Sequence, residues 1–374
     1  MLALRGGGDL VALWAQLLSL IDVVSGVALA GLGTGLSVYV ARTSRLERQR
    51  ELLREALRLG LLVALPVALA GAAAGLFSAD ALSGGKLESR VLALGAVVGW
   101  LSVIPGLIVG LWLGQERRGL MLAFAAGTAL LSVAVAWLAP GGQVIALLAT
   151  AQAMPAAIVI FIGRPSESAG RFRSRAHPLR RYILPSVAIG FLSPASTLVV
   201  RAVVGEALSW HEAGVLQALW RLSDWVCGLA GGVVSVHYLP QLAAAARDRE
   251  RFSGVLRSAA LRTLVPSALV LALFLAMQRP LLGALYDGSF RASSLAVALL
   301  FAGSLVRIGA WVAMFGLYAL RRTRALAIGE LLSLPLFALL CLVAGQGLTL
   351  ELTGVFWLVA FCAYLAFNVL ALRR

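Results

Sequence analysis

Six ionisable residues sit in stretches that are otherwise fit for oil: Asp22, Arg201, Arg221, Asp224, Arg307 and Glu330. A charge near the middle of a bilayer costs at least ~2.5–3.5 kcal/mol on insertion scales, so it normally faces a partner, a ligand or a wet cavity. Arginine keeps its charge and presents a planar fork of donors, which matches phosphate or diphosphate. Carboxylates at that depth suit a proton or sodium relay. The residue types therefore point to an anionic amphiphile, with Arg307 the first candidate to meet it. Asp22, Asp224 and Glu330 are the candidate ion-coupling carboxylates.

Spacing refines this reading. At ~1.5 Å per residue, Asp22 lies ~18 Å into its apolar span, Arg221 ~12 Å, Asp224 ~16 Å and Arg307 ~20 Å. Arg201 falls near the outer end of its span. Arg221 and Asp224 are three apart, so one reading is a local pair that neutralises itself. Arg307 has no charged residue within four positions. Its partner must be another helix or a ligand, and Asp22 and Asp224 are at suitable depths. Glu330 is ~9 Å from the opposite end of its span and reads first as a cap on a loop.

The elements that must carry these residues are membrane helices. Hydrophobic residues make up 60% of the chain, and the mean hydropathy is +0.92. Long apolar runs recur throughout, which excludes a soluble domain and lacks the short alternating strands of a barrel. Eleven spans are expected, at roughly 10–41, 56–78, 91–115, 119–138, 143–163, 180–205, 213–243, 257–278, 294–320, 324–346 and 350–372. Every odd-numbered span is followed by an arginine-rich segment, such as Arg45 to Arg58, Arg171 to Arg181 and Arg247 to Arg262. The positive-inside rule puts those segments, and the C-terminus, in the cytoplasm.

The net charge of +15 is thus mostly a topology signal and also touches anionic lipid heads. It does not indicate nucleic acid. No HExxH, GxSxG or Walker A pattern occurs, so no enzyme is read. The three histidines and three cysteines form no metal or disulfide pattern, and no cofactor is implied. "GLGTG" (Gly31 to Gly35) reads as close helix packing.

An internal repeat organises the chain. "DVVSG" from Asp22 matches "DWVCG" from Asp224; Tyr39 and Tyr238 follow, then basic amphipathic stretches ending at Pro66 and Pro266. Both copies run outside to inside, as parallel repeats do. The expected division is an N-terminal lobe at 1–163, a cytoplasmic linker at 164–179 and a C-terminal lobe at 180–374. The second half has one more span than the first, so a six-plus-six protein lacking its first helix is expected. The stretch from Arg45 to Leu59 reads equally as a surface-lying helix or as a plain extension of the next span.

"LSWHEAGVLQALWRLSD", "SVHYLPQLA", "SLVRIGAWVAMFGLYALRRTRALAIGELL" and "GVALAGLGTGLSVYVART" together resemble the Wzx-type flippases of the MOP exporter superfamily. The resemblance is clearest over 205–332. It implies an all-α, two-lobed MOP-type bundle of about eleven transmembrane helices with a central cationic cavity, in the bacterial inner membrane. The implied cargo is undecaprenyl-diphosphate-linked oligosaccharide, moved by alternating access and coupled to an ion. Arg307, with Arg201 and Arg221, would meet the diphosphate, and Arg307 and Glu330 fall on positions typically basic and acidic in relatives. Expected partners are the lipid-linked oligosaccharide, membrane lipids and polysaccharide-assembly proteins. The alternatives are a MATE-like small-molecule exporter and an inactive truncated scaffold.

Overall fold

The computed structural model describes residues 2–41, 43, 45–140, 143–162, 183–286, 288–320 and 322–373. Among these, the regular structure is helical throughout, with no strand. The helices are α1 (Leu2–Ala41), α2 (Leu46–Phe77), α3 (Ala79–Ser83), α4 (Ser89–Gly114), α5 (Arg118–Leu138), α6 (Val144–Ile162), α7 (Ile183–Ala207) and α8 (Trp210–Val233). After a π turn at Val234–Tyr238 follow α9 (Leu239–Ala245), α10 (Arg249–Ala276), α11 (Gln278–Leu285), α12 (Ser294–Ala319), α13 (Thr323–Leu331), α14 (Leu334–Ala344) and α15 (Leu350–Arg373). Nine helical segments of the described chain are long and apolar enough to cross a membrane. The other two expected spans are occupied by α6 and α7. The described chain is that of a multi-pass, all-helical membrane protein.

The chain divides into two compact units: residues 13–198, and residues 2–12 together with 199–374. The expected linker at 164–179 lies outside the described residues. In the first unit α4 packs against α2 and α6. Leu32, Leu36 and Val40 of α1 meet Leu52, Ala56 and Ala64 of α2 and Val103 and Leu107 of α4 in one core. Glycines let backbones approach there: a Cβ on Gly110 would come within 3.0 Å of the Gly33 carbonyl, and one on Gly190 would overlap the Gly26 carbonyl. Small residues are what membrane helices use to pack closely, because lipid supplies no hydrophobic drive between them. At Gly33 of "GLGTG" itself a Cβ would meet nothing within 4 Å, so the close approach there rests on Gly110.

In the second unit α12 is central and packs against α15, α10 and α8. The N-terminal residues of α1 join this unit through glycine as well, since a Cβ on Gly214 would overlap the Gly8 carbonyl. Ser293 caps α12: its Oγ accepts from Ala296 N and donates to Glu351 in the first turn of α15.

One open local expectation is decided and another changes. The basic stretch from Arg45 to Leu59 is no separate surface helix, because α2 runs unbroken from Leu46 past Pro66 to Phe77. Its Leu, Ala, Arg and Glu content favours helix at every turn. The span expected at 324–346 is instead broken between α13 and α14. Pro335 has no N–H for the Leu331 carbonyl and its ring clashes there, so the helix stops at Leu331. Ser333 closes the break, its Oγ donating to the Glu330 carbonyl at 2.6 Å.

Candidate functional site

Helix starts decide which charges share a level. Ser209 caps α8, accepting from Glu212 N at 3.1 Å, so α8 begins at Trp210 rather than at Ala213. Asp224 then lies ~21 Å along α8, and Arg307 ~20 Å along α12. The two meet: Arg307 Nη1 donates to Asp224 Oδ1 at 2.7 Å. The arginine side chain is 16% exposed and the aspartate 41%.

Arg307 is also walled by aromatic rings. Its guanidinium carbon is 4.6 Å from the centre of Trp311, 5.7 Å from Trp357 and 5.6 Å from Phe361. Each such contact contributes about 0.5–2 kcal/mol, more where water is excluded. Helical spacing builds the wall. Trp311 is four residues from Arg307 on α12, and Trp357 and Phe361 are four apart on α15, so each pair shares a helix face. Trp357 is fixed by donating from Nε1 to Ser304 Oγ at 3.2 Å. That hydroxyl donates in turn to the Leu300 carbonyl at 2.9 Å. Trp220 and Phe337 pack on Trp357 from behind. The result is a cation held by aromatic faces, with a carboxylate on its more exposed side.

The remaining sequence candidates fall elsewhere. Among the described residues no ion pair joins Arg221 to Asp224. The local-pair reading is therefore replaced: Asp224 is turned to α12, while Arg221 is exposed. The Arg221 charge acts on Tyr286, whose phenol burial pushes above its usual range and which Arg221 pulls back. Arg201 is 3% exposed and its Nη1 donates to Gln217 Oε1 at 2.6 Å, linking α7 to α8. Glu330 accepts from the Tyr364 hydroxyl at 2.9 Å, linking α13 to α15. Asp22 is exposed on α1 in the first unit and has contacts of its own. Within the second unit the structure pairs Arg307 with Asp224; Glu330 lies within electrostatic reach of Arg307 without pairing with it, and Arg201 and Arg221 face other partners.

The aromatic wall and Gln217 are not singled out by the sequence reading. The signal for the wall is present as Arg307–Trp311 and Trp357–Phe361 at four-residue spacing. What a sequence does not show is that α12 and α15 turn those faces toward each other.

No family model matches the chain, and no curated protein matches its sequence. Its backbone is similar to solved transporters. One is the inward-facing conformation of a multidrug resistance MATE family transporter of the MOP superfamily, with TM-score 0.71 and 15% identity over 99% of this chain and 89% of that one. Another is a MOP superfamily transporter from Pyrococcus furiosus Vc1 (DSM3638), whose binding pocket of reverse polarity suggests a different function. It has TM-score 0.66 and 15% identity over 100% of this chain and 88% of that one. At such identity the likeness is one of fold.

Proposed function

We propose that the chain is an alternating-access membrane transporter whose cargo is an anionic, diphosphate-bearing amphiphile. The specific class is undecaprenyl-diphosphate-linked oligosaccharide, moved from the cytoplasmic to the periplasmic leaflet of the bacterial inner membrane. The observation that carries this is Arg307: a cation deep in its helix, backed by three rings, with its carboxylate partner the more exposed of the two. A diphosphate arriving there competes with Asp224 for the guanidinium donors. The displaced carboxylate then has an open valence for a proton or sodium ion, which links ion entry to anion exchange. Asp224 is accordingly the first candidate for coupling, ahead of Asp22 and Glu330. Among the arginines Arg307 comes first and exposed Arg221 second; Arg201 positions α8 through Gln217.

A second reading has its own observation. Half-exposed Asp224, paired with an arginine that lies against Trp311 and Trp357, also suits an organic cation, as a MATE-like exporter would require. The discriminating experiment is complementation of a flippase-deleted strain by the wild-type chain, Arg307→Lys and Arg307→Ala. Restored surface polysaccharide with wild type, partly with lysine and not with alanine, at equal membrane levels, supports the anion reading. Full complementation by Arg307→Ala removes Arg307 from the site, and no complementation by wild type removes the cargo.

A further inference from the structure

The first unit carries a cavity of about 260 Å³ where α2 begins and α4 ends. It lies at the arginine-rich end of both helices, the end that the positive-inside rule puts at a membrane surface. Its walls have two characters. Leu46, Leu111 and Trp112 give an apolar side, and Trp112 is buttressed edge-on by Phe124 at 5.8 Å. Arg50 and Arg117 give a cationic side. No acidic side chain lines it among the described residues, and neither arginine is in an ion pair there. Arg48, two residues before Arg50, is paired with Glu51 at 3.0 Å, so the arrangement leaves the cavity's own arginine uncommitted.

The polar floor is fixed. Gln115 Nε2 donates to Gln49 Oε1 at 2.7 Å, and Gln49 Nε2 donates to the Thr43 carbonyl at 2.7 Å. This chain ties the end of α4 to the start of α2 and holds the cavity open between them. Glu116, with φ of 55°, turns the backbone so that Arg117 follows at the rim.

Two uncommitted guanidiniums beside a tryptophan and two leucines match one kind of molecule: a phosphate headgroup with acyl chains attached. From this geometry we infer that the cavity is a binding site for an anionic membrane phospholipid. Arg50 and Arg117 take the phosphate, and Trp112, Leu46 and Leu111 take the glycerol and upper acyl carbons. The site is built from the first unit alone and does not depend on the transport reading. Bound lipid would bridge α2 and α4 in the same way as the Gln49–Gln115 bond.

Native mass spectrometry of the full chain in a neutral detergent tests this. The protein is titrated with 1-palmitoyl-2-oleoyl phosphatidylglycerol, with the matching phosphatidylcholine, and with inorganic phosphate as competitor. The expected result is tighter retention of phosphatidylglycerol than of phosphatidylcholine. Arg50→Gln/Arg117→Gln should weaken that retention roughly 30-fold, while Arg249→Gln/Arg251→Gln on the second unit leaves it unchanged. Equal retention of the two lipids by wild type overturns the inference without any variant. So does retention unaffected by Arg50→Gln/Arg117→Gln. Displacement of the lipid by phosphate at matched concentration assigns the site to free phosphate and overturns the lipid as occupant.

Discussion

The Arg307 guanidinium and the Asp224 carboxylate meet at 2.7 Å although 83 residues separate them in sequence. The pair joins α12 to α8 at matching depths. Its geometry bears on folding and on the proposed transport, and the two can be separated.

For folding, Asp224→Asn, Arg307→Gln and the double variant form a thermodynamic cycle. Asp224 is partly exposed, so the coupling should be about 1 kcal/mol, between that of a surface pair and a buried one. Thermal unfolding of the purified protein in one detergent reads it. Additive single effects would mean that the pair contributes nothing.

For anion binding, Asp224→Asn removes the competitor and keeps the cation. Inorganic diphosphate should bind about tenfold tighter to Asp224→Asn than to wild type, a difference of about 1.4 kcal/mol. Binding should be lost in Arg307→Ala. Isothermal titration measures this; weaker binding to Asp224→Asn would show that the carboxylate does not compete.

Glu330 and Asp224 are expected to differ. Glutamine at 330 can still accept from Tyr364, so Glu330→Gln should leave stability and ion-driven transport in place. Tyr364→Phe should cost about 1 kcal/mol by removing that hydrogen bond. Asp224→Asn should remove the dependence of transport on an ion gradient. Loss of that dependence in Glu330→Gln instead would move the coupling site to α13.

Two helix crossings depend on missing side chains. Gly190→Ala and Gly214→Ala each drive a methyl into a backbone carbonyl, and each should destabilise by about 1–3 kcal/mol. Gly254→Ala in α10 meets nothing within 4 Å and should be neutral or stabilising by up to about 1 kcal/mol. Unfolding temperatures of the three variants check the contrast.

The charge bias predicts an orientation. In a cysteine-free background, Lys86→Cys should react with a membrane-impermeant maleimide added to intact spheroplasts, and Ser253→Cys should react only after lysis. The reverse pattern would invert the topology.

Much of the fold is legible because the lipid-spanning pattern is local. All eleven expected spans are occupied by helix, and their arginine-rich ends follow from the order of the chain alone. Boundaries move where a single residue intervenes: Ser209 starts α8 early, and Pro335 splits the span that carries Glu330. The site is legible by type and not by partner. Arg307 stands out because nothing on its own helix neutralises it, and its depth singles out Asp224 and Asp22. Choosing between those two needs helix rotation. Arg221 shows the limit, since three-residue spacing permits a pair that the facing of α8 toward α12 does not make. The aromatic wall requires two faces to meet, which no periodicity within one helix reports.

The most direct test is transport itself. The full chain is reconstituted in proteoliposomes carrying a polyprenyl-diphosphate-linked oligosaccharide in both leaflets, and a membrane-impermeant glycosidase digests what reaches the outer face. Wild type should make nearly all of the glycan accessible under an ion gradient, while Arg307→Ala stops at the fraction present outside from the start. If wild type also stops there, yet the same vesicles accumulate an organic cation, the anion account is contradicted and the chain is an exporter of cations.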